Sequence, residues 1–182
     1  MHNDIAYVLY SEQQLKECCK RLARQIEKDY AGKDLVCVCI LKGGVMFMTD
    51  LIREVNLPLS MEFMAASSYG SGTTSAGVVR ILKDLDKDIT GKHVLIVEDI
   101  VDTGNTLSYL SQYLRASRGA ADISICTLLN KPERREAKDL EVKYIGFEVP
   151  NEFVVGYGLD YDEKYRNLPY IGVLQPEVYE KD

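Results

Sequence analysis

Residues 94–107, reading VLIVEDIVDTGNTL, constrain this chain more than any other stretch. Residues 94–97 are apolar without polar alternation, the pattern of a central parallel strand covered on both faces. Glu98 and Asp99 are therefore expected at the carboxyl end of that strand, where ligands bind in open α/β sheets. Thr103, Gly104, Asn105 and Thr106 are residue types that leave backbone N–H groups free, and Leu107, Leu110 and Leu114 then recur at helical spacing. A helix N-terminus carries about half a positive elementary charge, so amides and hydroxyls at 103–106 can hold a phosphate with no lysine. That order of parts describes a pocket for a sugar phosphate.

Glu98, Asp99 and Asp102 would repel a bare phosphate, so their place beside such a cradle needs a reason. Carboxylates can accept hydrogen bonds from sugar hydroxyls, or attract Mg²⁺ that arrives with a polyphosphate. Asp102 is set apart by Ile100 and Val101, inside the turn. There it either caps the helix or exchanges a proton with a substrate nitrogen.

The acid pair followed by Asp102-Thr103-Gly104-Asn105-Thr106 resembles the 5-phosphoribosyl-1-pyrophosphate signature of type I phosphoribosyltransferases. Leu41-Lys42-Gly43-Gly44, Ser67-Ser68-Tyr69-Gly70, Lys131, and Phe153-Val154-Val155-Gly156-Tyr157 through Leu159-Asp160-Tyr161 fall in the order found in hypoxanthine (hypoxanthine-guanine) phosphoribosyltransferases of the short bacterial type. The resemblance covers nearly the whole chain. It implies the α/β fold of that family, a central mainly parallel sheet flanked by helices, with a small hood from about 1–10 and 145–182. It also implies purine salvage: phosphoribosyl transfer to hypoxanthine, and to guanine, giving IMP or GMP and pyrophosphate. A xanthine- or guanine-preferring transferase is the nearest alternative, and a donor-sensing regulator of the same fold a more distant one.

Roles follow from the same resemblance. Asp102 becomes the general base for the purine N7 proton and a part of the 5-phosphate loop with Thr103, Gly104, Asn105 and Thr106. Glu98 and Asp99 take the ribose hydroxyls and, with Asp160, stand near Mg²⁺. Lys42, Gly43 and Arg166 face the pyrophosphate, and Ser68 and Tyr69 belong to a flexible loop that covers it. Lys131 contacts the purine O6, Phe153 stacks on the base, and the main chain near Val154 and Asp160 reads its edge. Two positions depart from some members: Asn105 stands where they carry lysine, and Pro132 where they carry arginine. Asn105 leaves an amide cradle intact but removes a charged clamp.

Several of these residues read differently without the resemblance. Lys42-Gly43-Gly44 is a strand-to-helix turn whose glycines permit close backbone approach. Residues 70–77, GSGTTSAG, form either a surface loop or a lid that shields an oxocarbenium-like centre from water. Phe153 is a core residue and Lys131 a solvated one; Asp160 is a turn aspartate and Arg166 a surface arginine.

The remaining chain agrees with one α/β unit. At 182 residues it is within the range of a single domain that buries about 70% of its unfolded surface. With 46% hydrophobic and 27% charged residues, and apolar runs of strand size only, an ordinary soluble protein without a membrane helix is expected. Met1-His2-Asn3-Asp4 lacks a secretory start, which makes cytosol the expected location. A net charge of -6 and a pI near 5.1 argue against nonspecific nucleic-acid binding. The five cysteines have neither zinc-ligand nor C-x-x-C spacing and read as reduced small hydrophobes. With His2 and His93 alone, carboxylates must carry any proton transfer.

Ser11 and Gln14 form a capping-box pattern ahead of Leu15, Cys18, Leu22, Ile26 and Tyr30, one helical face. Strands are predicted at 35–41, 59–66, 78–82, 123–129, 144–149, 153–155 and 170–174. A helix is predicted at 45–55, with exposed apolar residues suited to a homodimer interface; a dimer or tetramer is expected.

Overall fold

The computed structural model describes residues 1–69 and 78–180. Strand β1 (Ile5–Tyr10) leads into helix α1 (Glu12–Tyr30) through Ser11. The capping box is present: Gln14 N donates to Ser11 Oγ at 3.3 Å, and Ser11 N donates to Gln14 Oε1 at 2.9 Å. The first turn thereby gains side-chain acceptors for backbone donors that the helix itself leaves unpaired. Then come β2 (Leu35–Leu41), α2 (Val45–Glu54), β3 (Leu59–Tyr69), β4 (Val78–Lys83), β5 (His93–Val101) and α3 (Asn105–Ala116). The chain finishes with β6 (Asp122–Asn130), β7 (Tyr144–Glu148), β8 (Val154–Val155), β9 (Ile171–Leu174) and the single turn α4 (Pro176–Tyr179).

Six strands form one sheet in the order β4-β3-β2-β5-β6-β7, parallel throughout except for the antiparallel β3–β4 pair. Connections run one way from β2 to β3 and the other way from β5 to β6, so the strand order reverses between β2 and β5. Ligands bind outside the carboxyl ends of strands at such a reversal.

Alternation along β2 divides the core. Leu35, Cys37 and Cys39 pack with α1 and α2, through Leu22, Ile26, Phe47, Met48 and Leu51. Val36, Val38 and Ile40 face the other way, towards Leu107, Leu110 and Leu114 of α3. A strand buried on both faces needs unbroken apolar sequence, which is why β2 and the first half of β5 read so clearly. Replacing one such leucine by alanine costs about 2–5 kcal/mol, so α3 and the loop before it are firmly anchored. All five cysteines are buried and free. Burial pushes the Cys19, Cys37 and Cys39 thiols up to about 12, which leaves them inert as nucleophiles.

Two expectations change. The apolar residues Phe47, Met48 and Leu51 of α2 turn inward against α1 and the sheet, and only Met46 is largely exposed, so this helix offers little apolar surface to a second copy. Tyr144–Glu148 pairs in parallel with β6 at the edge of the large sheet, so residues 145–148 are not part of the hood. The hood is a separate antiparallel sheet, β1-β9-β8, with its own small core of Val155, Tyr165, Leu168 and Leu174. Residues of β1 alternate too weakly in sequence to announce a strand; it forms because β9 supplies its hydrogen bonds.

Candidate active site

The acids lie within β5 rather than beyond it. Pairing with β2 ends at Cys39↔Val97, whereas pairing with β6 continues to Val101↔Asn130. Glu98 and Asp99 thus stand where β5 has lost its β2 neighbour. The gap is a cleft of about 340 Å³, walled by Gly43, the acid pair, residues 100–104, Thr106, Asp160 and Arg166. The strand-to-helix turns after β2 and β5 therefore open on one cavity.

Glu98 Oε1 accepts from Asp99 N at 3.1 Å, and Asp99 Oδ1 accepts from Ile100 N at 2.7 Å. Among the described residues neither carboxylate is ion-paired. Burial, then repulsion from Asp99, pushes the Glu98 carboxyl well above its usual range; burial also raises that of Asp99. Among the described residues no group of three or more His, Cys, Asp or Glu could hold a metal alone. Two half-buried carboxylates on the wall of the cleft do fit Mg²⁺ that brings substrate oxygens with it, the usual way that ion is held. A raised carboxylate pKa means the folded chain binds its proton more tightly than the unfolded chain does. The ligand-free protein is then most stable below about pH 4 on this account and loses that contribution as pH rises through the folded-state value. Glu98→Gln is expected to raise the Tm of the ligand-free protein at neutral pH; thermal melts with chelator measure it, and a lowered Tm contradicts the account.

Gly104, at φ 82, opens α3, and a Cβ there would lie 2.8 Å from Leu140 Cδ2 and 3.0 Å from Arg135 Cδ. Thr103 O accepts from Glu136 N and Ala137 N, so the segment after β6 braces the turn. Asn105 turns outward, and its Nδ2 donates to Glu136 Oε2 at 2.6 Å. Asp102 sits beside Arg134, whose Nε is 2.8 Å from Oδ1 without hydrogen-bond geometry. Sequence reading missed Arg134, since an arginine in a polar loop carries no local signal.

Lys42 does not line the cleft; its Nζ pairs with Glu163 Oε2 at 2.7 Å. Arg166 does, with Nη1 donating to Gly158 O at 2.7 Å and lying 3.1 Å from Asp160 Oδ1, and Nη2 3.3 Å from Glu163 Oε1. Lys42 holds the Glu163 carboxyl below its ordinary value, chiefly by that hydrogen bond. Glu163 was not foreseen either, because it lies 121 residues from Lys42 in sequence. The Leu41–Lys42 peptide is cis. Ser68 and Tyr69 end β3, with Ser68 exposed, and the lid expected over residues 70–77 lies outside the described residues.

The local readings of Lys131 and Phe153 are reversed. Lys131 is 8% exposed, its Nζ donating to Glu152 O at 2.7 Å, and burial lowers its pKa. Phe153 is 38% exposed, because its ring projects from the hood beside Tyr161 and Tyr179 instead of entering the core. Val154 is buried and pairs with Val173.

The family model described as phosphoribosyl transferase domain matches residues 8–162. This chain belongs to that family. The transferase is 56% identical over 179 residues to a hypoxanthine-guanine phosphoribosyltransferase of Staphylococcus aureus, covering 98% of this chain and 99% of that protein. It is 50% identical over 181 residues to one of Streptococcus thermophilus, covering 100% and 99%. A crystal structure of a hypoxanthine phosphoribosyltransferase from Staphylococcus aureus superposes with a TM-score of 0.95 at 55% identity, covering 100% of this chain and 97% of that one. Among the described residues, no helix is long and apolar enough to cross a membrane.

Proposed function

We propose that this chain transfers the 5-phosphoribosyl group of 5-phosphoribosyl-1-pyrophosphate to hypoxanthine or guanine in purine salvage, as a cytosolic Mg²⁺-dependent homo-oligomer. The observation that carries the reading is the shared cleft. An unpaired acid pair, an amide-rich helix start and a buried-edge arginine converge there, on a chain half identical to relatives bearing that activity's name.

Each part has a physical task. Main-chain amides at 103–106 and the start of α3 hold the 5-phosphate. Glu98 and Asp99 accept from the ribose hydroxyls and would hold Mg²⁺, with Asp160 close by. Mg²⁺ held there with the donor would supply positive charge beside the pyrophosphate oxygens. Gly43 brings its backbone up to that group, and Lys42 and Arg166 turn to it from Glu163. Lys131 donates to the purine O6 and the Phe153 ring stacks on the base, while main chain near Val154 reads its edge. Purine N9 forms its bond to C1 of the ribose as the bond from C1 to the pyrophosphate oxygen breaks, and the N7 proton passes to Asp102. Ser68 and Tyr69, at the end of β3, help to exclude water during the transfer.

The test is nucleotide formation by purified protein with donor, Mg²⁺ and one base at a time. IMP and GMP are expected. Product from adenine alone, or none from hypoxanthine, guanine, xanthine and adenine, overturns the reading. Glu163→Gln frees Lys42 and Arg166 from a competing carboxylate. The pair is exposed and weakly held, so the KM for the donor is expected to fall only a few-fold in steady-state assays.

A further inference from the structure

We infer that Tyr179, near the C-terminus, is a positioning residue of the purine site: it backs the Phe153 ring so that one face remains for the base. The inference rests on the function proposed above. Leu174 N donates to Phe153 O at 2.8 Å, which ties the end of β9 to the residue before β8. The chain then turns, with Gln175 N donating to Asp4 O at 2.9 Å, and Pro176 starts α4 in the position where a missing N–H costs nothing. One helical turn, closed by Val178 N to Gln175 O at 3.0 Å, carries Tyr179 back over Phe153. The two rings stack with centroids 4.8 Å apart and planes 21° apart. Tyr161 meets the same phenylalanine edge-on, at 5.5 Å and 88°.

Two tyrosines thus set the plane of a ring that is still 38% exposed. A lone surface phenylalanine samples several rotamers and loses that freedom when a base stacks on it. Here the freedom is already lost before the base arrives. The arrangement also lies beside the buried amine of Lys131, which donates to the carbonyl of Glu152, the residue before Phe153. Tyr179 itself is half-buried and packs against the hood's own small core, so it is held from behind.

The experiment compares Tyr179→Ala, Tyr179→Leu and Tyr179→Phe with the unaltered full chain in steady-state assays. An aromatic pair contributes enough to change affinity about 2- to 12-fold, so the KM for hypoxanthine is expected to rise by that factor in the alanine and leucine variants. Tyr179→Phe restores it, while kcat and the KM for the donor stay unchanged. If the alanine variant does not fold, the leucine variant carries the comparison. An unchanged KM overturns the inference. So does a lowered KM, which would mean that Tyr179 occupies the place of the base. Full rescue by leucine also overturns it, because bulk rather than a ring would then suffice. Absence of turnover by the unaltered chain instead overturns the proposed function, and the two failures are told apart in one assay.

Discussion

Asp102→Asn is expected to lower kcat for IMP formation about 10²- to 10⁴-fold, the usual contribution of a general base, with little change in the KM for the donor. An amide keeps the size of the side chain but cannot take the N7 proton. Donor binding persists because the phosphate cradle is made of main-chain amides, and these are braced by Glu136 N and Ala137 N on Thr103 O rather than by the aspartate. The variant also folds: neutralising Asp102 removes only a surface ion pair with Arg134, worth at most about 1 kcal/mol. Steady-state kinetics with saturating hypoxanthine decide the matter. Turnover within a few-fold of the parent removes Asp102 from the mechanism.

The second large effect is expected from Gly43→Ala. A Cβ at this position would lie 1.7 Å from Asp99 Oδ2 and 2.6 Å from its Cγ, so the carboxylate or the turn must move. The turn has little room to retreat, since Gly158, at φ 105, packs so close that a Cβ on it would lie 2.1 Å from Gly43 O. Asp99 is also tied by its hydrogen bond from Ile100 N. A displacement near 1 Å of a group that positions substrate costs about 10²-fold, which is the expected loss in kcat/KM. Gly91→Ala serves as the control. It sits at φ 73 with nothing within 4 Å of its Cβ, so strain of about 1 kcal/mol should appear in the melting curve and not in the activity. Equal kinetic losses in both variants would show that the Gly43 effect is only a loss of fold.

Particular residues show why some of this was legible in the sequence. The β2 and β5 cores, the Ser11–Gln14 cap and the turn at 103–106 are local patterns: a buried strand requires consecutive apolar residues, and a cap requires two residues three apart. The partners of the charged groups were not legible. Arg134 beside Asp102 and Glu163 beside Lys42 join segments far apart in the chain, which no local pattern encodes, whereas Glu163 and Arg166 stand only three residues apart. The hood was legible as a region but not in its pairing, because β1 and β9 stand at opposite ends of the chain. Lys131 and Phe153 exchange the burial that their side-chain chemistry suggests, one drawn in by a carbonyl and the other held out beside two tyrosines.

By itself, then, the sequence determined the kinds of groups available: carboxylates in place of histidines, amides in place of a charged phosphate clamp, and apolar strands to carry both. Only the tertiary structure decided where β5 outruns β2 and so opens the cleft, which cations are held in check by Glu163, and which ring lies behind Phe153. The reason is physical. Propensity and periodicity act over a few residues, whereas strand order, ion pairing and ring stacking are settled by packing between segments that meet only when the whole chain has folded.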